Sequence, residues 1–187
     1  MVVTWPRMTH GDDHSSEVMD AEAIRPCSDD LPLPPHRPVR ELCLVTPSCR
    51  RAWDSGTFRP IPAKDAYTGP FTRKCQGYAE RFYPGAWCIL DPRHGFMFPE
   101  EIIRKGHGAC LFRPWTGPIG TEALRSQVRS RRLDGYERIV VLGGHRFICL
   151  IEEAFPHCRV RAPLTGLGGI GHMMREMNLA IGSGQRL

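Results

Sequence analysis

Between Val39 and Ile181 short apolar runs alternate with longer stretches in which apolar residues return every third or fourth position. The two rhythms predict strands and helices in turn. VRELCLV, rich in branched apolar residues and closed by Pro47, reads as a buried strand. FTRKCQGYAERFY brings Phe71, Cys75, Tyr78 and Phe82 onto one helical face, and Pro84 with Gly85 ends it. WCIL is a second strand leading into DPRHGFMFPEE. TEALRSQVRSRRL is a polar helix with Thr121 as the expected N-cap, and ERIVVLGG is a third strand ending on glycines. HRFICLIEEAF predicts a helix and CRVRAPL a fourth strand. After TGLGGIG, HMMREMNLAI predicts a last helix, its methionines expected in the core.

Strands alternating with helices predict an α/β fold: one domain over residues 38–187, with a mainly parallel sheet of about four to five strands covered by helices on both faces. In such a sheet the ligand-handling loops gather where the strands end. That places PSCRRAW, DPRHGF, GGHR and TGLGGIG at one edge. Residues 1–37 are polar and end in the proline-rich DLPLPPHRP, so they are expected to form a disordered leader.

Charge sharpens this division. The chain of 187 residues has a formal charge of +5, yet residues 1–37 hold seven acidic and three basic side chains, leaving the remainder at +9. A basic body behind an acidic leader points to nucleic acid or a nucleotide as partner, with a charged, solvated surface as the plainer alternative. With no apolar run near ~18 residues and no basic head before an apolar stretch, the sequence predicts neither a membrane span nor a secretory signal. A cytoplasmic location is expected. The eight cysteines fall at uneven spacings, several inside apolar runs, as buried thiols in a reducing compartment would. Cys49, His94, Cys110, His145, His157 and Cys158 are present, but without CxxC or HExxH spacing no metal site is expected. No motif identifies a cofactor.

Candidate chemistry lies in four places. Cys49 follows the first strand with Arg50 and Arg51 beside it, and neighbouring cations favour a thiolate, making it the leading nucleophile candidate, with a buried inert thiol as the alternative. In DPRHGFMFPEE, Asp91 and His94 suit proton transfer near neutral pH. The structural alternative has Asp91 capping the turn and Pro99-Glu100-Glu101 opening a short helix. TGLGGIG contains G-x-G-x-x-G at Gly166, Gly168 and Gly171, which lets backbone approach a phosphate or simply makes a tight turn. Arg125, Arg129 and Arg132, joined by Arg131, predict a basic helical stripe that tracks phosphates or forms a solvated face.

Taken together, CLVTPSCRRAW, IPAKDAYTGPF, WCILDPRHGFMFPEEII and APLTGLGGIGHMM resemble a bacterial and phage domain family of unknown function over Val39 to Ile181, most specifically in PAKDAYTG. A more distant similarity runs to the YaaA family of DNA-binding peroxide-stress proteins. Another runs to the cores of archaeosine synthases, and it implies a link to 7-deazaguanine bases. The chain departs from the resembled pattern at Asp91, where members carry serine, near Arg51, where a lysine is common, and at Lys105-Gly106-His107, which replaces a Pro-Tyr.

PAKDAYTG then acquires a role. Between the first strand and the first helix, Lys64 would supply a cation, Asp65 a hydrogen-bond acceptor or cap, and Tyr67 a ring to stack on a base. The alternative is a long loop pinned by Pro60, Pro62 and Pro70 with Tyr67 in the core. The leading expectation is a protein that recognises or modifies a purine-like base, with Lys64, Cys49, Asp91 and His94 near the reacting atoms and Arg51 assisting. Contrasting readings are a non-enzymatic DNA-binding stress or phage accessory protein that uses the arginines, and a small nucleotide-binding regulator.

Overall fold

The computed structural model of the protein describes residues 38–56 and 59–187; the leader expected over residues 1–37 lies outside them. Its central sheet has five strands: β1 (Glu41–Val45), β3 (Trp87–Asp91), β4 (Gly95–Met97), β6 (Arg138–Leu142) and β7 (Arg159–Arg161). They lie in the order β4-β3-β1-β6-β7. Pairs β3-β1, β1-β6 and β6-β7 are parallel, and only β4 runs antiparallel, folded back on β3 with Asp91 opposite Gly95. A second ladder pairs β2 (Ile61–Pro62) with β5 (Ile102–Ile103).

The period of two sorts the strand residues onto two faces. Cys43, Val45, Ile89, Val140 and Leu142 pack in a core with residues of α1 (Ala63–Ala66), α2 (Pro70–Phe82) and α5 (Ile170–Ser183). Their neighbours Leu42, Leu44, Cys88, Leu90, Ile139 and Val141 pack on the other face with α3 (Thr121–Ser130) and α4 (His145–Ala154). Because both faces are covered, the strands read as continuous apolar runs rather than alternating ones. From β1 the chain crosses to β3 by way of α2, and from β6 it crosses to β7 by way of α4, so the adjacent strands β1 and β6 send their connections to opposite faces. The crevice beyond their carboxyl ends is where open α/β sheets take ligands. Among the described residues, no helix is long and apolar enough to cross a membrane.

Three local expectations are corrected. The N-cap of α3 is Gly120, not Thr121, because Ile119 is tied to Pro92 by a 2.7 Å backbone bond and packs on the core, which starts the helix one residue early. The helix stops at Ser130 rather than running through Leu133: Arg132 takes a left-handed conformation (φ 55°) so that Leu133 can turn into the core. Pro99-Glu100-Glu101 opens no helix but forms a turn into β5, with the Glu101 carboxylate accepting the Phe98 amide.

Candidate functional site

Asp91 is the last residue of β3 and is fully buried. The turn after it wraps back on its carboxylate: Oδ1 accepts the amides of Arg93 and His94, both at 2.7 Å, and lies 3.0 Å from His94 Nδ1. Oδ2 accepts the Tyr67 hydroxyl at 2.8 Å and lies 3.2 Å from His107 Nε2. Burial alone would push the carboxyl pKa up. The His107 hydrogen bond and charge, with the two turn amides, outweigh burial and hold it well below the usual carboxylate range. Tyr67 responds in the opposite sense, its phenol pushed far above the ordinary value by burial, the Asp91 charge and the hydrogen bond it donates.

Each partner is held by a different element. His94 depends on α3, whose Gln127 accepts the Phe96 amide at 2.9 Å and donates to the His94 carbonyl at 2.6 Å. Gly95 between them has φ +79°, and a Cβ there would lie 2.1 Å from Gln127 Oε1, so the turn needs glycine on both counts. His107 lies in the loop after β5. Its carbonyl accepts from Arg51 Nη1 and Trp53 Nε1, both at 3.0 Å, while Arg51 Nη2 donates to the Ala109 carbonyl at 2.8 Å. The Trp53 ring sits 5.3 Å from the His107 ring and 6.3 Å from that of Tyr67. The His107 side chain is only 10% exposed and its Nδ1 is buried without a hydrogen-bond partner, whereas His94 is 39% exposed and reaches solvent. Asp91, His94 and His107 can each turn one ligand atom toward the others, all within 4.8 Å, so the three side chains could hold a metal ion.

A cavity of about 270 Å³ opens at the same edge, in the crevice beyond β1 and β6. Its wall includes Pro92, next to Asp91, and Ala109, two residues past His107, together with Cys49, Arg51, Cys110, Phe112 and Phe147. Phe112 meets Phe147 edge to face at 4.9 Å, and the Arg146 guanidinium lies 4.2 Å from the Phe112 ring centre. Apolar and aromatic walls with a few polar groups suit a planar ring.

The site residues expected from sequence distribute unevenly. Asp91, His94 and Tyr67 meet in one network, Arg51 positions its histidine loop, and Cys49 lies exposed on the wall of the neighbouring cavity. Tyr67 is 1% exposed, a buried donor to Asp91 rather than a stacking platform. Lys64 is elsewhere: its ammonium pairs with Glu100 at 2.6 Å and lines a separate open cavity with Glu80, Trp87 and Phe98. Asp65 is exposed on α1. Gly166 and Gly168 take positive φ (84° and 81°) in the turn before α5, and Gly171 falls inside that helix, so the glycine motif builds the turn. It lines neither cavity. The basic stripe is broken by the end of α3. Arg125 engages Glu122 and the Glu153 carbonyl, Arg131 clasps both Glu101 oxygens at 2.8 and 2.9 Å, and Arg129 and Arg132 are exposed. His107, the residue that sequence reasoning missed, follows Asp91 by sixteen positions with no ligand-like spacing. Its signal was the departure at Lys105-Gly106-His107.

The chain is similar to the uncharacterized protein YfjM of Bacillus subtilis (strain 168), 27% identical over 145 residues that cover 76% of this chain and 96% of that one. No family model matches the chain. No solved structure matches it either.

Proposed function

We propose that the protein recognises and modifies a purine-like base, of the ordinary or the 7-deazaguanine kind, in nucleic acid or as a nucleoside, in the cytoplasm. The observation that carries this reading is the pair of imidazoles anchored on buried Asp91 beside an aromatic-walled cavity at the carboxyl edge of the sheet. A carboxylate that accepts His94 Nδ1–H fixes the tautomer and leaves Nε2, on the exposed side of the ring, as proton acceptor or donor. Phe112 and Phe147 offer faces and edges to a planar base, Arg51 and Arg146 bring positive charge, and Cys49 places a thiol on the cavity wall. The distant similarities to the YaaA DNA-binding family, through the Pro-Ala-Lys segment, and to archaeosine synthase cores, through the turn at Pro47-Ser48-Cys49, favour the same reading.

Equilibrium binding of purine bases, 7-deazaguanine derivatives and their nucleosides to the full chain tests the reading. A base-bearing ligand is expected to bind, and Phe112→Ala is expected to weaken it about ten-fold or more, the ~1.4 kcal/mol that loss of one stacking contact implies. Equal affinity for ribose 5-phosphate and for the base-bearing ligands, indifferent to Phe112→Ala, would contradict it.

A further inference from the structure

Five donors converge on the Asp91 carboxylate, which offers about four lone-pair sites. Two of the five are backbone amides and one is a phenol, groups that can only donate here. The two ring nitrogens are the members able to change role, since a neutral imidazole nitrogen is either a donor or a lone pair. Charge raises a second point. Asp91 is fully buried, and among the described residues its ion-pair partners are His94 and His107, with no lysine or arginine against it. A buried carboxylate is normally paired with a cation or bound to a metal. The third point is convergence: a carboxylate oxygen, His94 Nδ1 and His107 Nε2 come from a strand end, a turn and a distant loop, yet lie within 4.8 Å of one another.

We infer that Asp91, His94 and His107 form a binding site for one divalent transition-metal ion, zinc or a neighbouring late first-row metal. Two imidazoles and one carboxylate suit such ions, whereas magnesium and calcium prefer oxygen ligands throughout. A cation among the three atoms turns both ring nitrogens from competing donors into ligands and neutralises the buried charge. Tyr67 then serves as the outer partner that orients the ligating carboxylate, as the Arg93 and His94 amides do on its other oxygen. Three protein ligands leave a coordination position for water or substrate, the arrangement of a catalytic rather than a structural zinc site. The half-exposed flank of His94 gives access. The inference concerns the same site as the base-modification reading but does not require it. A metal held on Nδ1 would leave His94 Nε2 as an N–H donor, and the base or nucleophile it would supply is a metal-bound hydroxide.

Titration of the chelator-treated full chain with cobalt(II) and zinc(II), followed by calorimetry and by the cobalt absorption spectrum, tests the site. One ion per chain is expected, with a spectrum free of thiolate-to-cobalt charge transfer. His94→Gln, half-exposed and not expected to unfold the chain, should weaken binding at least ten-fold with little change in melting temperature. Tyr67→Phe should weaken it by about 10- to 100-fold, the usual effect of removing an outer-sphere partner. Cys149→Ser, which removes the exposed thiol 3.8 Å from His145, should leave affinity unchanged. Failure of the native chain to bind either ion, a thiolate spectrum, or binding indifferent to His94→Gln would overturn the inference. Metal binding without base binding, or base binding without metal, would separate this inference from the functional reading.

Discussion

Gly95 and Tyr67 show how much of the site depends on single positions. At Gly95 an added methyl meets Gln127 Oε1 and the backbone is held at φ +79°, so Gly95→Ala is expected to lose ~1–3 kcal/mol through strain and the displaced Gln127 bonds, read as a lower urea midpoint. Tyr67→Phe removes one hydrogen bond to a buried charge and should cost ~1.5–3 kcal/mol by the same measurement. The cysteines divide by burial. Cys75 and Cys88 have thiols pushed up to about 12, chiefly by desolvation, while Cys49 and Cys149 are exposed. A buried thiol that resists ionisation favours the folded state less as pH rises above the ordinary thiol value, since the unfolded chain then releases a proton that the folded chain keeps. Among the described cysteines, iodoacetamide under native conditions is therefore expected to modify Cys49 and Cys149 first, with Cys43, Cys75 and Cys88 reacting only on unfolding, as peptide mass mapping would show. Labelling of Cys75 or Cys88 at the rate of Cys49 would contradict the packing described.

At the scale of elements, what could be read in advance followed from the length of the apolar signal. The runs at Leu42–Val45, Trp87–Leu90 and Ile139–Leu142 are long and buried on both faces, and each became a strand of the parallel sheet. β4 was not legible because Gly-Phe-Met is too short to show alternation and exists only as the return arm of a hairpin. Asp91 and His94 could be paired in advance because a turn brings residues three apart together. His107 could not, since its approach depends on Arg51 and Trp53 holding its carbonyl across more than fifty residues of sequence. The three places where the chain departs from the resembled pattern, Asp91, Arg51 and Lys105-Gly106-His107, meet at His107, whose ring lies against Asp91 and whose carbonyl accepts from Arg51. Lys64 was misplaced for a local reason: α1 ends at Ala66, and Tyr67 takes extended backbone (φ −114°, ψ 113°), so the tyrosine turns into the core while the lysine stays at the surface. α3 also braces the His94 turn, through Gln127. Gln127→Ala should lower stability by ~1–3 kcal/mol through the unpaired Phe96 amide and His94 carbonyl, and should reduce base or metal binding, whereas Ser126→Ala on the exposed side should change neither. Equal effects of the two variants would remove α3 from the account of the site.

For the molecule as a whole, residues 38–187 carry +9, and Arg51 and Arg146 lie at the cavity of the carboxyl edge, so under the proposed function an attraction to nucleic acid is expected to precede any chemistry. Each phosphate contact should add ~0.9 to the slope of log affinity against log salt. Arg129→Ala is expected to flatten that slope by about one contact if α3 faces the duplex, while Arg131→Ala should lower stability instead, because its guanidinium clasps Glu101. The central claim, that the Asp91 network performs base chemistry, has a more direct test. DNA, tRNA and free nucleosides incubated with the native full chain and with His94→Gln would be digested and compared by liquid chromatography and mass spectrometry. One base species is expected to change mass or be released by the native chain, and its rate to fall at least ~100-fold in His94→Gln, the scale of a lost acid–base or metal-ligating group. No altered base in any of the three substrates, or an alteration that proceeds unchanged in His94→Gln, would contradict it.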